Sequence, residues 1–278
     1  MTSPSLDGAS PGRVAGYESP HETIVGRWDI TIAAPDRALP SWLEVRPSGN
    51  GHFVGQFVGS VGSARPVARV EFTGGVMRFA IPPQWEPGTG DLQVEGRLQG
   101  ETLAGSIAYA DGKRADWTAK RAPTLRHAVP KAWGPPIRLF NGTDLTGWRA
   151  LGPNQWRAVN GVLQSPKSGA NLVTDRTFTD YKLHVEFRYP KGSNSGVYLR
   201  GRYEVQIEDS IATEPQNDLL GSVYGFLSPS ELAARNPGEW QSFEITLVGR
   251  MITVVANGRT VLCNREIPGI TGGALDSN

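Results

Sequence analysis

The sequence predicts an all-β protein of two domains, an up-and-down barrel followed by a two-sheet sandwich. Apolar and polar residues alternate with a period of two in strand-length segments along most of the chain, whereas helical periodicity is nearly absent. Turn-forming residues separate the segments, drawn from 34 glycines and 21 prolines in 278 residues. With 38% hydrophobic residues and 8 tryptophans there is apolar surface enough for a core, which excludes disorder over most of the length. At roughly 150 residues per domain, the length alone suggests two.

Residues 1–22, MTSPSLDGASPGRVAGYESPHE, are polar and rich in Pro, Ser and Gly. They read as a flexible leader without the apolar stretch of a secretory signal. The chain as given therefore reads as cytoplasmic, or as periplasmic or secreted in a trimmed form. No run approaches the roughly 18 apolar residues of a membrane span. With 28 basic against 27 acidic residues there is no charge bias to draw the chain to nucleic acid or to an anionic membrane. The single Cys263 has no disulfide partner, and in Val261-Leu262-Cys263 it reads as a small core residue.

Residues 23–122 form the first domain. IVGRWDITI, SWLEVRP, GHFVGQFVG, VARVEFTG, GVMRFAIP, GDLQVEGRLQ, ETLAGSIAY and ADWTAKRA are each strand-length. Between them lie Pro-Ser-Gly-Asn-Gly, Thr-Gly-Gly, Gln-Gly-Glu and Asp-Gly, the residues tight hairpins need. Sequential hairpins make a meander, and about eight strands can close into a small barrel that leaves no exposed edge. Gly26-Arg27-Trp28 resembles the first strand of lipocalin-like barrels. Residues 123–136 carry prolines that forbid helix interiors and central strands, and read as a linker.

Residues 137–278 form the second domain. YKLHVEFRYP, SGVYLRGRYEVQIED, WQSFEITLVG and MITVVANGRTVLC alternate again, and Asn257-Gly258 is a strong hairpin turn. One short helix is expected around Pro229 to Arg235, with Ser228 as N-cap and Glu231 three residues on. In YKLHVEFRYP, Leu183, Val185 and Phe187 oppose His184, Glu186 and Arg188. In the next segment Val197 and Leu199 oppose Tyr198 and Arg200, and Tyr203, Val205 and Ile207 oppose Glu204, Gln206 and Glu208. A face of carboxylates, an amide, a guanidinium and phenols suits a polar ligand such as a sugar, whose hydroxyls meet planar polar groups while its C–H faces stack on aromatics. The alternative is a solvated face carrying cross-strand ion pairs.

Neither a Gly-x-Gly-x-x-Gly strand-to-helix turn nor a P-loop is present, so nothing points to NAD or to nucleotide phosphates. There is no Gly-x-Ser-x-Gly elbow. Of the histidines, His21 lies in the leader, His127 in the linker and His52 in a turn, leaving His184 on the suspected face. No His pair has transition-metal spacing, although Glu and Asp oxygens could hold a hard cation such as calcium.

The series IRLFNGTDLTGW, NGVLQS, VEFRYPKGSNSGVYLRGRYEVQIEDS, VYGF, GEWQSFEITLVGRMITVVANGRTV and IPGITGGALDSN resembles the 3-keto-disaccharide hydrolase family, also named 3-keto-glucoside lyase and hydratase. The likeness covers about Ile137 to Asn278. It implies a concanavalin A-like jelly roll that cleaves glycosides already oxidised at C3 by a separate sugar oxidoreductase. In that chemistry a ketone at C3 acidifies the C2 proton, a base removes it, the enolate expels the C1 substituent and water adds afterwards.

On this resemblance Glu186 and Glu204 are candidates for base or acid, and Arg200 for holding the enolate oxygen. His184, Tyr198, Gln206, Asp209 and Tyr224 are candidates for binding sugar, although alternation places Asp209 off the Glu204 face. Asn194-Ser195-Gly196 matches the family's turn and is expected to shape the strand entry. Trp148, Trp156 and Trp240 are expected to pack the sandwich, Phe140-Asn141-Gly142 with Asp144 to turn in the first strand, and Gly272-Gly273 to form a loop before a final strand. Family members continue past LDSN with a further loop and strand, so the chain is expected to lack that strand. The rival reading is a non-catalytic carbohydrate-binding protein.

Overall fold

The computed structural model of the chain describes residues 24–210 and 214–278. The leader expected over residues 1–22, His21 included, lies outside the described residues. Among the described residues there is no helix.

The eight segments of the first domain are eight strands, β1 (Gly26–Ala33), β2 (Ala38–Pro47), β3 (Phe53–Val58), β4 (Arg65–Thr73), β5 (Val76–Ile81), β6 (Leu92–Gln99), β7 (Thr102–Ala108) and β8 (Arg114–Arg121). They pair antiparallel in chain order and β8 returns to β1, so the barrel closes. Alternation decides what fills it. Met77, Phe79 and Ile81 of β5 and Leu92 and Val94 of β6 point inward, and with Trp28, Phe57 and Trp117 they form a packed interior. Trp117 needs a glycine beneath it, since a Cβ on Gly96 would lie 2.4 Å from the indole.

Ten strands follow, β9 (Trp148–Ala150), β10 (Arg157–Val159), β11 (Val162–Gln164), β12 (Leu172–Thr174), β13 (Tyr181–Phe187), β14 (Asn194–Leu199), β15 (Tyr203–Glu208), β16 (Gln241–Val248), β17 (Met251–Ala256) and β18 (Arg259–Glu266). β13, β16, β17 and β18 make one four-stranded sheet, β14 and β15 a hairpin, and β9–β12 two short ribbons. Leu199, Tyr203, Val205 and Ile207 of the hairpin meet Phe243, Ile245, Ile252 and Val254 of the sheet in one buried core. Two layers thus face each other, and their polar sides point away from one another.

Part of that core comes from the barrel. Trp42 and Val58 belong to the second domain's cluster; Trp42 packs edge-on against Phe226 at 5.3 Å. The proline-rich segment is docked as well. Arg250 donates from Nη2 to the Pro123 carbonyl at 2.6 Å and from its backbone N–H to that of Leu125 at 3.2 Å. The approach is so close that a Cβ on Gly249 would lie 1.8 Å from the Leu125 oxygen.

Several local expectations are corrected. Residues 229–235 are not helical, because their polar groups bond sideways to the sheet. Ser230 N–H reaches Val261 O at 2.8 Å, Glu231 pairs with Arg259 at 2.7 Å and Arg235 N–H reaches Gln241 Oε1 at 2.9 Å. Cys263 is exposed, since register shifts between β17 and β18 break the alternation and put both Val261 and Leu262 inside. Trp240 is 43% exposed beneath Arg188, while Trp148 and Trp156 are half-buried and lie outside the core cluster. The Asn141–Asp144 turn forms through Asn141 Nδ2 to Asp144 Oδ1 at 2.7 Å, but in a loop rather than a strand.

Candidate functional site

The outer side of the β14–β15 hairpin carries the polar groups. Register places Tyr198 opposite Glu204 and Gly196 opposite Gln206. On its other edge β15 is extended by residues 221–224, with Gln206 N–H on Ser222 O at 3.1 Å and Tyr224 N–H on Glu204 O at 3.0 Å. Two rows of three result, the first reading Tyr198, Glu204, Tyr224 and the second Gly196, Gln206, Ser222. Glu208 lies one step further along β15, opposite Asn194. The loop after β18 closes one end, where Thr271 Oγ1 accepts the Glu204 N–H at 3.1 Å.

Glu204 is therefore a carboxyl set between two phenols. Its side chain leans across β14, into space that only a glycine leaves open: a Cβ on Gly196 would lie 2.1 Å from Oε1 and 2.6 Å from Cγ. The Tyr198 hydroxyl lies 3.0 Å from Glu204 Oε2 and 2.6 Å from the Gly272 carbonyl oxygen. A phenol has one proton, and the shorter contact claims it for Gly272, so the carboxyl keeps little compensation for its lost water. Burial accordingly pushes Glu204 up to about 7, against a smaller lowering by Tyr198. Burial also raises Tyr198 and Tyr224, with the Glu204 charge adding to both.

Gln206 is 2% exposed, and its Nε2 donates to the Asp218 carbonyl at 3.1 Å and to Glu208 at 3.3 Å. Its Oε1, and Oγ of Ser222 beside it in the same row, have no hydrogen-bond partner. Buried polar atoms left over in this way suit a polar ligand. Burial raises Glu208 too, offset by its contact with Gln206 and supported by the nearby charge of Asp218.

Tyr198, Glu204, Gln206 and Tyr224 are thus brought together. Four other candidates are not. Glu186 and His184 lie on the exposed side of β13, across the core from Glu204, where His184 pairs with Glu244 in the neighbouring strand. Two sheets that bury their apolar sides against each other must turn their polar sides apart. Arg200 leaves the strand: β14 ends at Leu199, and a φ of 55° turns the guanidinium over the Tyr203 ring at 5.3 Å and onto the Gly249 carbonyl, on the core side of the hairpin. Asp209 follows the end of β15, accepts the Gly192 N–H at 2.8 Å and lines a separate cavity of about 330 Å³ with Lys191 and Arg235.

Sequence reasoning missed Glu208 as a site residue, although its place two residues beyond Gln206 was a usable signal. Gly196 was expected only to shape the strand entry, not to make room for Glu204, and Thr271 and Ser222 left no trace, since each matters only through a neighbour distant in the chain. Among the described residues no three His, Cys, Asp or Glu side chains gather as a donor set for a metal ion.

Comparison with known proteins finds relatives of the C-terminal half. A curated relative from Bacteroides thetaiotaomicron, a 3-keto-disaccharide hydrolase, is 26% identical over 142 residues, 46% of each chain. The chain thus spans about half the length of that relative. A solved structure of a candidate glycosyl hydrolase from Parabacteroides distasonis ATCC 8503 shares 31% identity over 49% of this chain and 67% of its own, with a TM-score of 0.44. Another from the same organism shares 26% over 43% and 66%, with a TM-score of 0.39. The model of the 3-keto-alpha-glucoside-1,2-lyase-like domain matches residues 135–276, just over half of the chain and all of the site built around Glu204. The chain belongs to the 3-keto-alpha-glucoside-1,2-lyase-like family.

Proposed function

We propose that this protein cleaves 3-keto-glycosides at the outer face of the β14–β15 hairpin, with Glu204 as the base. The observation that carries the reading is a carboxyl buried between Tyr198 and Tyr224, poised near neutrality, within the matched family domain. A base whose affinity for protons sits near the working pH is well matched to removing a proton acidified by a neighbouring ketone.

Glu204 takes the C2 proton, and the electron pair forms the enolate at the C3 oxygen, met by the Tyr224 hydroxyl. The enolate reforms the ketone and a C1–C2 double bond, and the C1–O electron pair leaves with the aglycone, which receives a proton from Glu208. Water then adds to C1 and gives up a proton to Glu208 while Glu204 returns its proton to C2, so that both carboxyls are restored and the 3-keto sugar is released. The C3 ketone must come from a separate sugar oxidoreductase. The family's concanavalin A-like jelly roll belongs to this proposal, supported by the two layers around one core.

The test is incubation with para-nitrophenyl 3-keto-glucoside beside its unoxidised parent, with and without a chelator. Release from the keto form alone is the expected result, and chelator sensitivity reports whether a cation such as calcium takes part. Binding of saccharide with no release from either compound would replace this reading with a carbohydrate-binding role.

A further inference from the structure

Two loops at one end of the barrel reach the Glu204 face. The loop between β3 and β4, residues 59–64, is inserted between the segment bearing Tyr224 and the loop that accepts the Tyr198 proton. Gly272 N–H donates to Gly62 O at 3.2 Å and Gly273 N–H to Ser60 O at 2.9 Å. There is no room for side chains at either contact: a Cβ on Gly272 would lie 2.2 Å from Gly62 O, and one on Gly225 2.6 Å from Ser63 Cβ. Gly272 is the residue whose carbonyl holds Tyr198. A short chain of contacts thus runs from the barrel loop to the carboxyl.

The second loop, residues 82–91 between β5 and β6, carries Trp85. This indole is 68% exposed, the most exposed large apolar side chain among the described residues. Single exposed aromatics are common; what distinguishes Trp85 is its mounting. The Glu86 carboxylate accepts the Gln84 N–H at 2.8 Å and the Trp85 N–H at 3.2 Å, and is held by Arg65 at 2.7 Å in an ion pair largely shielded from water. The Gln84 side chain exchanges two 2.9 Å hydrogen bonds with Ser63 of the first loop. The indole lies against that loop, 2.8 Å from where a Gly62 Cβ would be, and its side chain reaches the Tyr224 phenol. Beside it the barrel mouth opens into a cavity of about 210 Å³ floored by Ile32, Phe57, Leu92 and Ile107. A rigid backbone that holds a flat apolar surface out in water beside a sugar-type polar face is the arrangement expected of a stacking platform.

We propose that Trp85 of the barrel stacks on the glycoside held at the Glu204 face, so that both domains build the binding site. The inference rests on the proposed glycoside cleavage and adds to it a substrate-binding residue outside the family domain.

The test compares the full-length wild type with Trp85→Ala, Trp85→Phe and Gln84→Ala on para-nitrophenyl 3-keto-glucoside. Trp85→Ala is expected to raise KM about tenfold with kcat within about twofold, and Trp85→Phe to recover most of that loss. The exposed position leaves thermal stability unchanged, which separates binding from folding. Gln84→Ala, which removes the two hydrogen bonds that fasten the Trp85 loop to Ser63, is expected to raise KM in the same direction, with little further change when combined with Trp85→Ala. Turnover by the wild type with an unchanged KM in Trp85→Ala overturns the inference alone. No turnover and no saccharide binding by the wild type overturns the proposed function and this inference with it.

Discussion

Glu204 shows how much of a residue's chemistry is set by what it is denied. Burial withholds water, Tyr198 spends its closer contact on Gly272, and the carboxyl is left pushed up to about 7. Replacing it with Gln should lower release from the keto substrate by about 10²–10⁴-fold while leaving saccharide binding in place. The acid limb of kcat/KM should fall off near pH 7, because the base acts only when ionised; a limb near 4.5, the ordinary glutamate value, would mean that another group is the base. Stability follows the opposite sense. The fold favours the protonated form, so this contribution is fully present below about pH 4.5 and is lost as pH rises through about 7. Melting temperatures of wild type and Glu204→Gln should therefore diverge between pH 5 and 8, the variant gaining on the wild type, and parallel curves would refute the burial argument.

At the scale of elements, the hairpin β14–β15 makes the site by simple alternation, which is why Tyr198, Glu204 and Gln206 were legible in the sequence. Arg200 was misplaced because alternation stops where β14 stops, and its left-handed turn sends the side chain back over the Tyr203 ring. Glu186 and His184 were misplaced for a different reason: the pattern tells which side of a strand is polar, not which layer the strand joins. Gly196 illustrates a constraint between neighbouring strands. Gly196→Ala meets the Glu204 side chain rather than backbone, so the carboxyl should move and the fold should hold. The expected result is a loss of kcat of tenfold or more with stability within about 1 kcal/mol of wild type. A variant that keeps full activity would show that the position of Glu204 across Gly196 is unimportant.

At the scale of the whole molecule the two domains are one packed object. Trp42, on the barrel's outer wall, is wholly buried in the second domain's core, and a Cβ on Gly269 would lie 2.3 Å from its ring. Across the same contact Arg27 pairs with Glu266 at 2.7 Å and Asn278 donates to the buried Asp29 at 3.0 Å. Trp42→Ala should cost about 3–5 kcal/mol and split a single unfolding transition into two, as followed by denaturant titration. Two transitions already in the wild type would show that the contact does not couple the domains. The sequence by itself determined the eight barrel strands, the second all-β domain and the polar row on β15, because all of these follow from short-range alternation and turn chemistry. Only the tertiary structure decided which polar rows share a site and that the barrel's loops meet the Glu204 face. Those outcomes depend on which layers bury against each other, and on glycines such as Gly225 and Gly272 whose missing side chains matter only once two distant segments touch.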